Sequence, residues 1–142
     1  KAKGAYQYRY YQQFLDAIAM KNTDYGFLAD GRSRKHPRRA VIGSRLLETL
    51  VQLLVLDPKV GGGFQSHALS IDELITKLRS RYGIIINGLN ESRFADADVE
   101  THLAFTQNVN ALKNKLRQIG FFTDMSDAYL LQKIRPRYKF QA

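Results

Sequence analysis

Four side chains in the last third of the chain have the chemistry to read a nucleic-acid base. Gln107, Asn110, Asn114 and Arg117 stand three or four residues apart, a spacing that gathers side chains on one side of an α-helix turning about 100° per residue. Side-chain amides pair a donor with an acceptor and so match an adenine edge, the arginine fork matches guanine, and lysines such as the flanking Lys113 and Lys115 suit phosphate. No acid lies among these positions. Val109, Leu112, Leu116 and Ile119 form an apolar stripe on the other side, as a helix seated on a core requires. The pattern predicts a helix over 106–119, stopped by Gly120.

The segment after Gly120 would extend that surface. Residues 121–123 and 128–134 read as two strands joined by a turn at Asp124-Met125-Ser126-Asp127. Lys133, Arg135, Arg137 and Lys139 alternate along the chain, so in an extended segment they point one way, four cations on one edge suited to backbone phosphate. Ile134, Pro136, Tyr138 and Phe140 would then pack on the body, with Pro136 marking an edge. A second basic cluster precedes the middle of the chain: Arg32, Arg34, Lys35, Arg38 and Arg39 fall within eight residues. Such crowding is repulsive unless an anion compensates it, so this loop either meets phosphate or stays solvated.

The charge distribution points the same way. Of the net +9, residues 1–43 carry +6, residues 44–105 carry −2 and residues 106–142 carry +5. Basic ends around a near-neutral middle are the footprint of a polyanion binder, although they also serve solubility or an acidic protein partner. The 142 residues suffice for one domain with a core, 44% of them are hydrophobic, and no apolar run approaches the roughly 18 to 20 residues of a membrane span. There is no cysteine, so disulfides and thiolate metal sites are excluded and a cytoplasmic, DNA-associated location is expected. The first residue is Lys1 rather than Met, from which we expect processing or excision from a longer chain.

The elements that must position these side chains are legible in part. Tyr6, Tyr8, Tyr10, Tyr11, Phe14, Leu15 and Ile18 give an aromatic-rich helix over residues 5–20, either packed on the body or used to stack on bases or hold a partner. Asp30-Gly31 and Pro37 mark a turn-rich passage. Ser44 is placed to cap a helix over 44–56, apolar enough to be the spine of the core. Asp57-Pro58 ends it. Residues 64–69 read as a short strand, and Ser70-Ile71-Asp72-Glu73 has the form of a capping box for a helix to Tyr82, stopped by Gly83. Ile84-Ile85-Ile86 before Asn87-Gly88 reads as a further strand, and Asp96 as the cap of a short helix that continues into the next element or breaks near Phe105.

In this order of helix, strand, helix, helix and hairpin, residues 44–138 resemble the winged helix-turn-helix superfamily. The resemblance lies in element order, not in a diagnostic motif. It implies an α+β, mainly helical fold: a winged-helix-like three-helix core (44–142) with a C-terminal β-hairpin and an N-terminal helical extension (1–43). It also implies that the third helix enters a major groove while the wing touches backbone. The departure is the connection between the second and third helices, longer than the usual tight turn, which means an insertion or a different small α+β arrangement.

An enzyme is not expected. His36, His67 and His102 fall on different elements without metal-ligand spacing, no nucleophile elbow is present, and the capping box accounts for the carboxylates Asp72 and Glu73 near Lys77. Gly61-Gly62-Gly63 lacks the residues of a phosphate-binding loop, so neither cofactor nor metal is expected. The reading is a DNA-binding module, part of a larger bacterial-type DNA-associated protein or assembly, with double-stranded DNA as partner, further protein subunits or a second copy as others, and no membrane. The alternative is an interaction or oligomerisation module that binds no nucleic acid; RNA is a third ligand class.

Overall fold

The computed structural model describes residues 2–31, 38–89, 91–121 and 133–138. The chain forms two units, Lys1–Thr49 and Leu50–Ala142. Among the described residues there are four α-helices and two antiparallel two-stranded sheets, an α+β fold. None of these helices is long and apolar enough to cross a membrane.

The first unit holds helix α1 (Ala2–Ile18), strands β1 (Leu28–Ala29) and β2 (Arg39–Ala40), and the start of helix α2 (Ser44–Leu54). β1 and β2 pair antiparallel with Leu28 opposite Ala40. Ser44 does not cap α2, contrary to the expectation from its hydroxyl. The Gly43 carbonyl accepts the first helical bond, from the Leu47 amide at 2.9 Å, which makes Gly43 the N-cap. The unpaired amides of Arg45 and Leu46 donate to the Asp24 carbonyl at 2.9 and 3.1 Å instead. Only glycine permits this approach, since a Cβ on residue 43 would lie 2.2 Å from that carbonyl oxygen.

The core of the second unit is mainly aliphatic, with Phe105 and Phe121 added. From α2 it takes Leu50, Val51 and Leu54, whereas Leu53 stays 48% exposed. The helix ends at Leu54, short of the expected 56, because Leu56 opens strand β3 (Leu56–Pro58), which pairs antiparallel with β4 (Phe64–Ser66). Helix α3 (Ile71–Tyr82) starts on the expected capping box. The Glu73 amide donates to Ser70 Oγ at 3.2 Å, and the Ser70 amide donates to Glu73 Oε2 at 2.7 Å. Ile71, Leu74 and Leu78 point inward, while Tyr82, expected on the same face, is 42% exposed.

The connection from α3 to helix α4 (Val99–Gln118) contains no strand among its described residues; Ile84, Ile85 and Ile86 are half-buried in irregular chain. Gly88 serves close approach rather than a hairpin turn: it is buried, and a Cβ there would meet the Phe105 ring at 2.4 Å. A 3₁₀ turn (Ser92–Phe94) sets Phe94 edge-on to Phe105, ring centroids 5.1 Å apart. Asp98, not Asp96, caps α4, its carboxylate accepting from the Thr101 amide at 2.8 Å. The helix runs unbroken through Phe105, which is 8% exposed. The expected hairpin over 121–134 lies outside the described residues except for Phe121, Lys133 and Ile134, so the wing that the resemblance implies is not among the described elements.

Two substitutions in the core are informative. Leu116→Ala removes a fully buried side chain and is expected to cost about 2 to 5 kcal/mol. Gly88→Ala overpacks the Phe105 ring and is expected to cost about 1 to 3 kcal/mol. Equilibrium denaturation of the full chain reads both.

Candidate nucleic-acid interface

Helix α4 is sorted cleanly into two sides. Phe105, Leu112 and Leu116 are buried, with Val109 and Ile119 half-buried along the same stripe. Gln107, Asn110, Asn114 and Arg117 are all exposed on the other side, flanked by half-buried Lys113 and Lys115. Arg117 Nη1 donates to Asn114 Oδ1 at 2.6 Å, a pairing one helical turn apart that holds amide and guanidinium together.

The helix begins earlier than its spacing predicted and adds two turns to this face. Leu103, 56% exposed, precedes Gln107 by four residues, and Val99, 85% exposed, precedes Leu103 by four. Glu100 lies on the same side by helical rotation, so the acid-free stretch starts at residue 101 and not at the helix start. The Asp98-to-Thr101 spacing was the available sign of the true start.

The C-terminal segment is tied down by one antiparallel bridge. The Leu69 amide donates to the Ile134 carbonyl at 3.0 Å and the Ile134 amide to the Leu69 carbonyl at 2.7 Å. Ile134 is fully buried and Pro136 half-buried, whereas Lys133, Arg135 and Arg137 are exposed, the alternation expected of extended chain. Tyr138 departs from it, being 64% exposed rather than packed on the body. Arg137 is engaged within the unit: its Nη2 donates to the Ile119 carbonyl at the C-terminus of α4, and its guanidinium lies 4.5 Å from the centroid of the Phe121 ring. A cation at that helix end is favourable, and stacking adds to it. Lys139 lies outside the described residues.

In the basic loop, Arg32, Arg34 and Lys35 also lie outside the described residues. Arg38 finds its compensating anions within the first unit. It pairs with Asp16 at 2.7 Å and with Asp30 at 3.5 Å, and Lys21 reaches the same two carboxylates at 3.1 and 3.2 Å. Lys21 hydrogen-bonds to Asp30 and, with Asn22 and Arg38, holds that carboxyl below its ordinary range. Arg39 is exposed on β2.

A further charged cluster joins β3, the chain after β4, and α3. Lys77 Nζ donates to Asp57 Oδ1 at 3.1 Å and to the Leu54 carbonyl at 3.0 Å, and lies 3.4 Å from His67 Nε2. His67 Nδ1 lies 3.2 Å from Asp57 Oδ2, and Arg81 is 3.7 Å from Asp57 Oδ1. Every donor is satisfied when His67 donates through Nδ1 to Asp57 and accepts from Lys77 at Nε2. The lone pair that a general base would use is then occupied by an ammonium, so the cluster braces the hairpin against α3. Burial pushes the Asp57 carboxyl up, but the Lys77 hydrogen bond and the charges beside it, those of Lys77 and Arg81 among them, together carry it below its usual value. The sequence placed Lys77 beside Asp72 and Glu73; the β3–β4 hairpin, invisible in local spacing, brings it to Asp57.

The family described as Methylation-associated defense system protein MAD7 matches residues 1–138 of the chain. No curated protein and no solved structure matches it.

The Asp57 cluster has a signature in acid. A carboxyl whose folded pKa is depressed contributes stability above its unfolded pKa and loses it as pH falls through the folded value. Asp57→Asn is therefore expected to be less stable than the parent near about pH 7, with the gap closing as the pH falls below the ordinary carboxylate range near about 4. Denaturation midpoints across that range measure it; a gap independent of pH would contradict the cluster's role.

Proposed function

The chain belongs to the methylation-associated defense system protein MAD7 family, and from that premise we propose that it serves its defense system as a DNA-binding module. One observation carries the reading: α4 is anchored by Phe105, Leu112 and Leu116 while Gln107, Asn110, Asn114 and Arg117 stand exposed without an acid among them. A helix held by one side and furnished on the other with amides and a guanidinium suits a major groove. In this arrangement α2, α3 and α4 act as a winged-helix-like core. Gln107, Asn110, Asn114 and Arg117 face base edges, while Lys113, Lys133 and Arg135 meet phosphates.

Duplex DNA is favoured over duplex RNA on geometry, because the major groove of A-form RNA is too narrow for side chains to read. The chain acts in this reading by binding and not by catalysis, and in the cytoplasm, where DNA is accessible.

Titration of labelled duplex DNA at several salt concentrations tests the proposal. Log K is expected to fall linearly with log salt, at about −0.9 per phosphate neutralised. Arg117→Glu should weaken binding to every sequence, and Asn110→Ala should cost about 1 to 3 kcal/mol on a preferred site and little elsewhere. Affinity that ignores salt, or an Arg117→Glu variant that binds like the parent, removes α4 as the contact surface.

A further inference from the structure

Helix α1 is mounted the wrong way round for a helix that serves only its own fold. Asp16, on its polar side, takes ion pairs from Lys21 at 3.1 Å and Arg38 at 2.7 Å, and Gln12 and Asp16 are half-buried. Its apolar side is in solvent: Tyr8, Tyr10, Tyr11, Phe14, Leu15 and Ile18 are each 58 to 70% exposed, and Tyr6 is 63% exposed. At 100° per residue these side chains sweep an arc of about 200°. An amphipathic helix of a self-contained domain buries that arc and exposes the other.

The arc is also partly ordered. Tyr6 and Tyr10 stack edge-on with ring centroids 5.1 Å apart, and Gln12 Nε2 donates to the Tyr8 hydroxyl at 3.2 Å. Side chains fixed before association lose less entropy on binding. Tyr8, Tyr11, Leu15 and Ile18 follow the three-four-three spacing of a helix–helix seam.

We propose that this face pairs with the same face of a second copy, the two α1 helices running antiparallel about a two-fold axis between Gln12 and Gln13. The available area is adequate. Aromatic side chains bury about 150 to 250 Å² each, so seven mostly exposed residues offer on the order of 800 Å² per copy, the size of a standard interface. Charge selects the occupant. The chain carries +9, so two copies repel over most of their surface, yet residues 4–18 hold one cation, Arg9, and one anion, Asp16. Both lie on the side of α1 away from Tyr10, Phe14 and Ile18, so the apolar arc from Tyr6 to Ile18 carries no charge and is where like-charged copies can meet. The stated axis sets Tyr11 against Phe14 of the second copy and Tyr10 against its Leu15, a self-complementary register of the kind that closes a symmetric dimer. The inference stands apart from the DNA reading and does not depend on it.

Light scattering of the full chain during size exclusion, at tens of micromolar, should give twice the monomer mass. The Tyr11→Glu/Phe14→Glu double variant, altered only at exposed positions, should run as a monomer with the parent's circular dichroism. Because the chain has no cysteine, Tyr11→Cys and Phe14→Cys report the register without disturbing its charge. Mixed under oxidation, they should cross-link at least tenfold faster than either variant alone. A monomeric parent chain, a dimer that survives the double glutamate substitution, or a single cysteine variant that cross-links as fast as the mixture would each overturn the proposal, as would a chain whose α1 is covered only when a different protein is added.

Discussion

The two backbone hydrogen bonds between Leu69 and Ile134 fix the second unit in a way that no side-chain contact does. They join the residue before the α3 cap to a segment far along the chain, and they satisfy polar backbone groups beside a fully buried isoleucine. Because side chains alternate along extended chain, placing Ile134 inward places Lys133 and Arg135 outward. The same constraint delivers Arg137 to the end of α4, where its guanidinium meets the Ile119 carbonyl and the Phe121 ring. Charge position here follows from backbone pairing.

Burial, not charge, sets the orientation of α4. A fully buried leucine contributes about 1.5 to 3 kcal/mol, whereas an exposed ion pair contributes about 0 to 1 kcal/mol. Leu112, Leu116 and Phe105 therefore decide which side of the helix faces out, and the polar residues opposite stand exposed. The ion pairs around Asp16 and Asp57 work at a different level. They join separate elements through charge, and they consume cations, Arg38 and Lys77 among them, that would otherwise add to the basic surface.

What could be read from the sequence was local. The Ser70 capping box, α3 and the apolar stripe of α4 are set within a few residues, and the structure has them as the spacing requires. Most features that were misread depend on distant chain; the α4 cap, a local bond from the Thr101 amide to Asp98, is the exception. Gly43 caps α2 because the Asp24 carbonyl comes to meet the helix, which no pattern around Ser44 reveals. Ile84-Ile85-Ile86 has strand propensity, but it pairs with no strand among the described residues, and Gly88 is drawn against Phe105 instead. Asp96 and Asp98 were equivalent as caps by composition, and the bond to the Thr101 amide separates them. Arg38, expected at phosphate or in solvent, pairs with Asp16 and Asp30 of its own unit. The polar face of Gln107, Asn110, Asn114 and Arg117 was legible because helical periodicity alone defines it.

The β3–β4 hairpin ends in Gly61, Gly62 and Gly63, all at positive φ between 83° and 103°, with Val60 wholly exposed beside them. Their backbone conformation is one that residues with a Cβ rarely adopt, and nothing within 4 Å surrounds a Cβ built there. The core makes no demand on this tip. Since closing a loop costs only about 0.6 kcal/mol more for each doubling of its length, the hairpin is a natural point of evolutionary insertion. Relatives could lengthen the chain there, or carry an added recognition loop, while Asp57, His67 and Lys77 keep their register below it.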